Sequence, residues 1–164
     1  MKRSKPSGPR NPPSARASSG GSSKIPEPAD VISYAYLWAR EAAAGEESGR
    51  KDRPAVVVVA RTEGAAGPLI LVAPVTHTAP QKSTDAVEIP PNVKKQLGLD
   101  EDRSWIVVTE LNRFIWPGPD IRPMPETGAP FYDALPDWLF ERVRSGVLQH
   151  SGQGRLKVTK RTAA

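Results

Sequence analysis

From Val31 onward the chain reads as a series of short apolar runs set between polar, turn-forming stretches. Val31–Trp38 alternates aromatic and aliphatic side chains and predicts a first strand. Glu41–Lys51, with Gly45 and Gly49, reads as a polar loop. Ala55–Arg61 contains four consecutive valines, a β-branched run that suits a strand buried on both faces. Gly64 to Gly67 supplies a turn, and Pro68–Val75 returns as the hairpin partner. Ala86–Ile89 alternates strictly over a short strand. Pro90-Pro91 then opens a short helix that Gly98 ends, since proline suits the first helical turn and glycine the position after the last. Trp105–Leu111 is a further apolar strand, from which Arg113–Trp116 continues or kinks. Five prolines and two glycines make Pro117–Pro130 an irregular loop. Asp137–Gln149 places Trp138, Leu139, Phe140, Val143, Val147 and Leu148 at helical spacing and predicts a terminal amphipathic helix.

Five or more short strands followed by one long helix predict a mostly β (α+β) domain, a mostly antiparallel barrel with a short inserted helix and a C-terminal helix. No βαβ alternation and no GxGxxG motif supports a nucleotide-binding parallel sheet.

Composition changes this picture at the ends. Residues 1–24 carry six Lys/Arg and no acid among Ser, Pro and Gly, too little apolar surface to offset the entropy of ordering, and read as a disordered basic tail. The last ten residues add four more cations. The formal charge is +5, yet removing those ten from the 23 Lys/Arg leaves 13 against 18 acidic side chains in 25–154. The expected organisation is a tail over 1–24, a domain over 25–150 and a basic C-terminal tail over 151–164. The tails would attract phosphates in a salt-sensitive, unspecific way, so a specific RNA site must come from a few placed cations on the domain. The absence of cysteine excludes disulfides, thiolate nucleophiles and zinc–thiolate sites, and fits a reducing cytoplasm. No run of 18 apolar residues predicts a membrane span, and the N-terminus lacks the apolar core of a secretory signal.

P-loop, HExxH and GxSxG motifs are absent, and the chain has two histidines, His77 and His150. Two clusters could carry chemistry. Lys51-Asp52-Arg53-Pro54 leads into the valine strand, where a guanidinium at the rim could grip a phosphate in a bidentate fork or simply pair with Asp52. Pro74-Val75-Thr76-His77-Thr78 ends the next strand with hydroxyls and an imidazole able to bind and protonate oxygens, or forms an ordinary threonine-rich turn. Trp116 could stack on an unpaired base or fill the core. Lys82, in a polar loop, could meet a phosphate or only water.

A strand opening Arg53-Pro-Ala-Val-Val, a return ending Pro-Val-Thr76, the preceding Gly/Glu-rich loop and the Asp30-Val31-Ile32 strand resemble the PemK/MazF toxins over roughly residues 29–149. Ala29 stands where the family usually has glycine. The resemblance implies an SH3-like barrel, a homodimer, metal-independent cleavage of single-stranded RNA without a cofactor, and neutralisation by a cognate antitoxin. It places the strand-entrance arginine on Arg53, the strand-end threonine on Thr76, and the acid of the PemK-like branch on Glu110 in Glu110-Leu-Asn-Arg113-Phe-Ile115. That branch has an arginine two positions before the acid; this chain has Val108.

Under that resemblance Glu110 is the candidate base with His77 as second choice, Arg53 stabilises phosphorane charge, Thr76 bonds a non-bridging oxygen, and His77 protonates the leaving group. Lys51, Lys82, Arg113 and Trp116 are candidate RNA contacts. A guanidinium does not lose its proton in proteins, so Arg53 is not assigned the proton transfer. The rival class is a non-catalytic SH3-like barrel that binds RNA or a protein partner, a gyrase-poisoning toxin included.

Overall fold

The structure, a computed structural model, describes residues 24–47, 49, 51–62 and 65–161. The tail expected over 1–24 lies outside the described residues except for Lys24, and so does Gly64 of the expected turn. In chain order the elements are β1 (Asp30–Tyr34), α1 (Ala39–Ala43), β2 (Arg53–Arg61), β3 (Leu69–Thr76), β4 (Ala86–Glu88), α2 (Pro91–Leu97), β5 (Trp105–Val107), β6 (Glu110–Ile115), β7 (Phe131–Ala134), α3 (Asp137–Gly152) and β8 (Lys157–Lys160).

The valine run builds the centre of the sheet. β2 pairs antiparallel with β1 (Val31 opposite Val56) and with β3 (Ala55 opposite Pro74), with a register shift around Val58. Alternation then sends its side chains to opposite faces. Val56 and Val58 join a core with Val93 and Leu97 of α2 and with Leu139, Val143 and Val147 of α3. Ala55 and Val57 join an aromatic core on the other face with Tyr34, Tyr36, Trp38, Phe114 and Trp116. Burial on both faces, as the unbroken valines require, is what the strand shows. Each such valine contributes about 1.5–3 kcal/mol by leaving water.

The mostly β, α+β class, the short inserted helix and the long C-terminal helix are as the sequence predicts. The closed barrel is not. The sheet runs β4-β5-β3-β2-β1-β7, with β6 on β3 and β8 on β6, and it does not close. The cause lies in β3, whose first half (Leu69–Val72) pairs with β6 while its end (Val75, Thr76) pairs with β5. One strand with two successive partners on the same side splits the sheet instead of curling it shut.

Four further expectations are corrected. The polar loop expected from Glu41 begins instead as α1, because Ala39-Arg-Glu-Ala-Ala favours helix and the Glu41 carboxylate accepts the Trp38 N–H at 3.1 Å. The strand expected to reach Trp38 stops at Tyr34; beyond it Asn112 takes over the ladder, accepting from Leu37 N at 2.9 Å and donating to Leu37 O at 2.8 Å. Trp105–Leu111 is two strands, separated at Val108 and Thr109. Within the stretch read as a basic tail, Lys157–Lys160 form β8, parallel to β6, and Arg161 is 2% exposed. On α3, Leu139, Val143 and Val147 face the core at a spacing of four, but Trp138 and Leu148 face solvent.

Two glycines are fixed by close approach. A Cβ on Gly49 would lie 2.4 Å from Tyr36 O, so the loop leading to β2 can pass tightly over that segment. A Cβ on Gly146 would lie 2.9 Å from Val108 Cγ2, which seats α3 directly on Val108. No helix among the described residues is long and apolar enough to cross a membrane.

Candidate active site

The β2–β3 register, continued by two residues, sets Arg53 across from Thr76 at the open end of the hairpin. The Arg53 guanidinium is half-buried there. Its Nη1 donates to Val75 O at 3.1 Å, and its carbon lies 5.1 Å from the Trp38 ring centroid. Arg40 approaches the same ring at 5.0 Å, so two guanidiniums flank one indole. Burial pulls the Arg53 pKa below its ordinary value and the Arg40 charge adds to that, while the Glu41 carboxylate opposes them. The side chain remains a cation at any working pH, and its Nε is buried without a hydrogen-bond partner among the described residues.

Arg53, Thr76 and His77 line one cleft of about 370 Å³ together with Lys51, Arg40 and Tyr36. Against one carboxylate on the same surface, that of Glu41, four cations or potential cations (Arg40, Lys51, Arg53 and His77) suit an anion of the phosphate class, although 25–154 is acidic as a whole. The Thr76 hydroxyl accepts from Thr78 N at 3.2 Å, which shapes the strand end into a turn. His77, 55% exposed, meets Asp100 Oδ2 through Nε2 at 2.9 Å. Asp100 also accepts from Lys94 Nζ at 2.6 Å, and that ammonium, only 5% exposed, further donates to Ser104 Oγ at 2.7 Å and to Asp102 O. The Lys94 hydrogen bond first, then the Lys94 and His77 charges, hold the Asp100 carboxyl below its usual range.

Glu110 stands elsewhere. Its Oε1 accepts from the Tyr36 hydroxyl at 3.1 Å and from Ala39 N at 2.9 Å, and it is not among the residues that line the cleft. Tyr36, between Glu110 and the cleft, has its hydroxyl pKa pushed well above the ordinary value by burial and then by the Glu110 charge. Of the two proton-carrying candidates, His77 therefore faces the cleft and Glu110 braces its wall. Val108, 1% exposed, belongs to the α3-side core.

The candidate RNA contacts separate. Lys51 lines the cleft. Lys82 is exposed in the loop before β4, and Arg113 is exposed on β6 opposite Leu71 and beside Lys160. Trp116 is 9% exposed and packs between Phe114 and Phe131, with centroids at 6.3 and 5.8 Å, as the core alternative requires. Sequence reasoning missed Trp38, Arg40, Tyr36, Lys94 and Asp100. Tyr36 and Trp38 lie in a stretch whose alternation looks like plain strand, Arg40 falls between that strand and the expected loop, and the last two sit 17 and 23 positions from His77 with no motif joining them.

His77, Asp100 and Asp102 each present a ligand atom within 4.8 Å of the others. All three are exposed, and the Lys94 ammonium already supplies the cation that Asp100 would offer a metal.

With this geometry in place, comparison with known families is informative. Residues 35–114 match the family described as PemK-like, MazF-like toxin of type II toxin-antitoxin system. The PemK/MazF resemblance read from the sequence therefore holds over the stretch that carries Arg53, Thr76, His77 and Glu110, in a family whose toxins are paired with an antitoxin. No curated protein matches the chain.

Proposed function

We propose that this protein is a toxin-type endoribonuclease that cuts single-stranded RNA by attack of the neighbouring 2′-hydroxyl, acts in the cytoplasm as a homodimer, and is held in check by a cognate antitoxin. The observation that carries the reading is the convergence of Arg53, Thr76 and His77, from the entrance of β2 and the exit of β3, on one cation-lined cleft.

The reaction needs a proton removed from O2′, charge stabilised on the phosphorane and a proton supplied to O5′. O2′ forms a bond to phosphorus, the P–O5′ bond breaks, and the products are a 2′,3′-cyclic phosphate and a 5′-hydroxyl. Arg53 offers fixed positive charge to the non-bridging oxygens, where a pre-placed donor is worth roughly 10²–10³ in rate. The Thr76 hydroxyl donates to one of the same oxygens. With Nε2 on Asp100, the Nδ1 of His77 is the ring nitrogen left for the substrate; it gives its proton to O5′, while the O2′ proton passes to solvent water. Lys51 and Arg40 draw in the flanking phosphates.

One oligonucleotide in three forms tests this: all-RNA, RNA with a single 2′-deoxy sugar at the cut, and all-DNA. Only the first should be cleaved at that bond, with or without EDTA. Cleavage of the DNA, or activity that EDTA abolishes and Mg²⁺ restores, would overturn the mechanism. A non-catalytic module that binds RNA or protein without cutting is favoured by one observation, the buried Val108 where the resembled branch has a second cation. That reading predicts retention of the intact RNA in the same experiment.

A further inference from the structure

The cleft has a second tier of ordered charge behind His77. We propose that Asp100, fixed by Lys94, is a positioning residue that orients the His77 ring for proton transfer in the Arg53–Thr76 cleft. The inference rests on the ribonuclease reading for its consequence in rate, and on the contact between His77 and Asp100 alone for the pairing.

Three observations carry it. His77 projects from the end of β3 into a cleft where its ring would otherwise be free to rotate, and its Nε2 lies 2.9 Å from Asp100 Oδ2. The other oxygen of that carboxylate is 2.6 Å from Lys94 Nζ, so the two atoms of Asp100 are divided between the imidazole and the ammonium. Lys94 itself is 4% exposed, and a buried ammonium is tolerated only where it is paired and hydrogen-bonded. Its bonds to Ser104 Oγ and Asp102 O complete that cradle and make Asp100 a fixed point, although Asp100 is on the surface. A carboxylate on one ring nitrogen sets which nitrogen carries the proton on the substrate side, so Nδ1 is presented to the cleft. Surface pairs of this kind contribute little to stability, so what the pair supplies is orientation.

Charged groups face His77 from every element around it. Lys51, Asp52 and Arg53 face it from the entrance of β2, and Arg40 and Glu41 from α1. Lys94, Asp100 and Asp102 face it from α2 and the loop that follows. Asp100 is the one in direct contact with the ring.

The experiment compares the full chain with Asp100→Asn, Asp100→Glu, His77→Ala and the double variant His77→Ala/Asp100→Asn. Nitrogen-15 NMR follows the His77 ring nitrogens directly, because His150 is the only other histidine and His77→Ala assigns the signals. Cleavage of an RNA oligonucleotide gives kcat and KM. Asp100→Asn keeps an oxygen for Lys94, and it should shift the His77 Nε2 signal and cut kcat on the order of 10- to 100-fold with little change in KM. That loss is less than the 10²–10⁴ of acid–base catalysis as a whole. Asp100→Glu should recover the signal. The double variant should be no slower than His77→Ala. An unchanged Nε2 signal in Asp100→Asn overturns the pairing, and a double variant slower than His77→Ala overturns the positioning role. A wild-type chain that cuts no RNA defeats the ribonuclease reading, while the NMR spectra still decide whether Asp100 holds His77.

Discussion

Arg161 and Asp120 form a buried ion pair at 2.8 Å, joining the end of β8 to the loop after β6. Nη1 of the same guanidinium donates to Ala35 O at 2.8 Å and to Asn112 Oδ1 at 3.0 Å. Nη2 meets Asp120 closely but without hydrogen-bond alignment, so the contact is chiefly charge against charge. Removing one member of a buried pair leaves the other charge stranded. Arg161→Ala should lose about 3–5 kcal/mol of stability, measured by urea unfolding. A loss below about 1 kcal/mol, the scale of an exposed pair, would mean that water reaches Asp120.

Arg53→Ala separates chemistry from packing. The side chain contributes one hydrogen bond and a half-exposed contact with Trp38, worth about 1 kcal/mol each. The melting curve should therefore move modestly, while RNA cleavage falls roughly 10²–10³-fold. Normal cutting by the variant would remove Arg53 from the mechanism.

For Glu110 the geometry gives a different expectation from the resemblance. A glutamine can still accept from Tyr36 and Ala39 through its amide oxygen, so Glu110→Gln should keep most of the activity and of the growth arrest on expression. Glu110→Ala removes the acceptor and should impair both fold and cleavage. A loss of 10²–10⁴ in Glu110→Gln alone would restore Glu110 as the base.

Ala29 has φ +83°, in the left-handed region that costs an L-residue roughly 1–2 kcal/mol. Glycine, the residue the family usually places before the aspartate, has no such penalty. Ala29→Gly should raise stability by about 1 kcal/mol after the extra unfolded-state entropy of glycine is allowed for. A lowered melting temperature would show that the alanine methyl packs usefully against the core.

Asp100 also sets a pH dependence. Its folded-state pKa is depressed, so its contribution to stability is complete above the unfolded value near 4 and is lost as pH falls through the lower folded value. Asp100→Asn should flatten stability against pH in that acid window and leave the neutral range unchanged in shape. An identical acid limb in both proteins would show that Lys94 gains nothing from the carboxylate.

What the sequence made legible follows from how local each signal is. The valine run, the Pro-Pro start and Gly98 end of α2, and the spacing of Leu139, Val143 and Val147 act within a few residues and were read correctly. Arg53, Thr76 and His77 were also within reach, since hairpin register follows from strands that are adjacent in sequence. Strands β7 and β8 were not, because Phe131–Ala134 and Lys157–Lys160 owe their conformation to partners 47 or more positions away in the chain. The resemblance made Glu110 the candidate base through its place in the run Glu110–Ile115; its hydrogen bonds to Tyr36 and Ala39, which join elements more than 70 positions apart, were out of reach. The pairing of His77 with Asp100 was hidden for the same reason.

The family match ends at Phe114, yet the wall segment at Ala35 and the Asn112 that grips Leu37 are held from Arg161. The part of the chain that bears the reactive groups cannot be separated from the part that braces them. In a population selected for escape from the proposed growth arrest, disabling mutations should therefore scatter through the codons for 115–161 as freely as around the cleft. A stop or frameshift anywhere in that span should unfold the protein with every candidate catalytic residue still encoded.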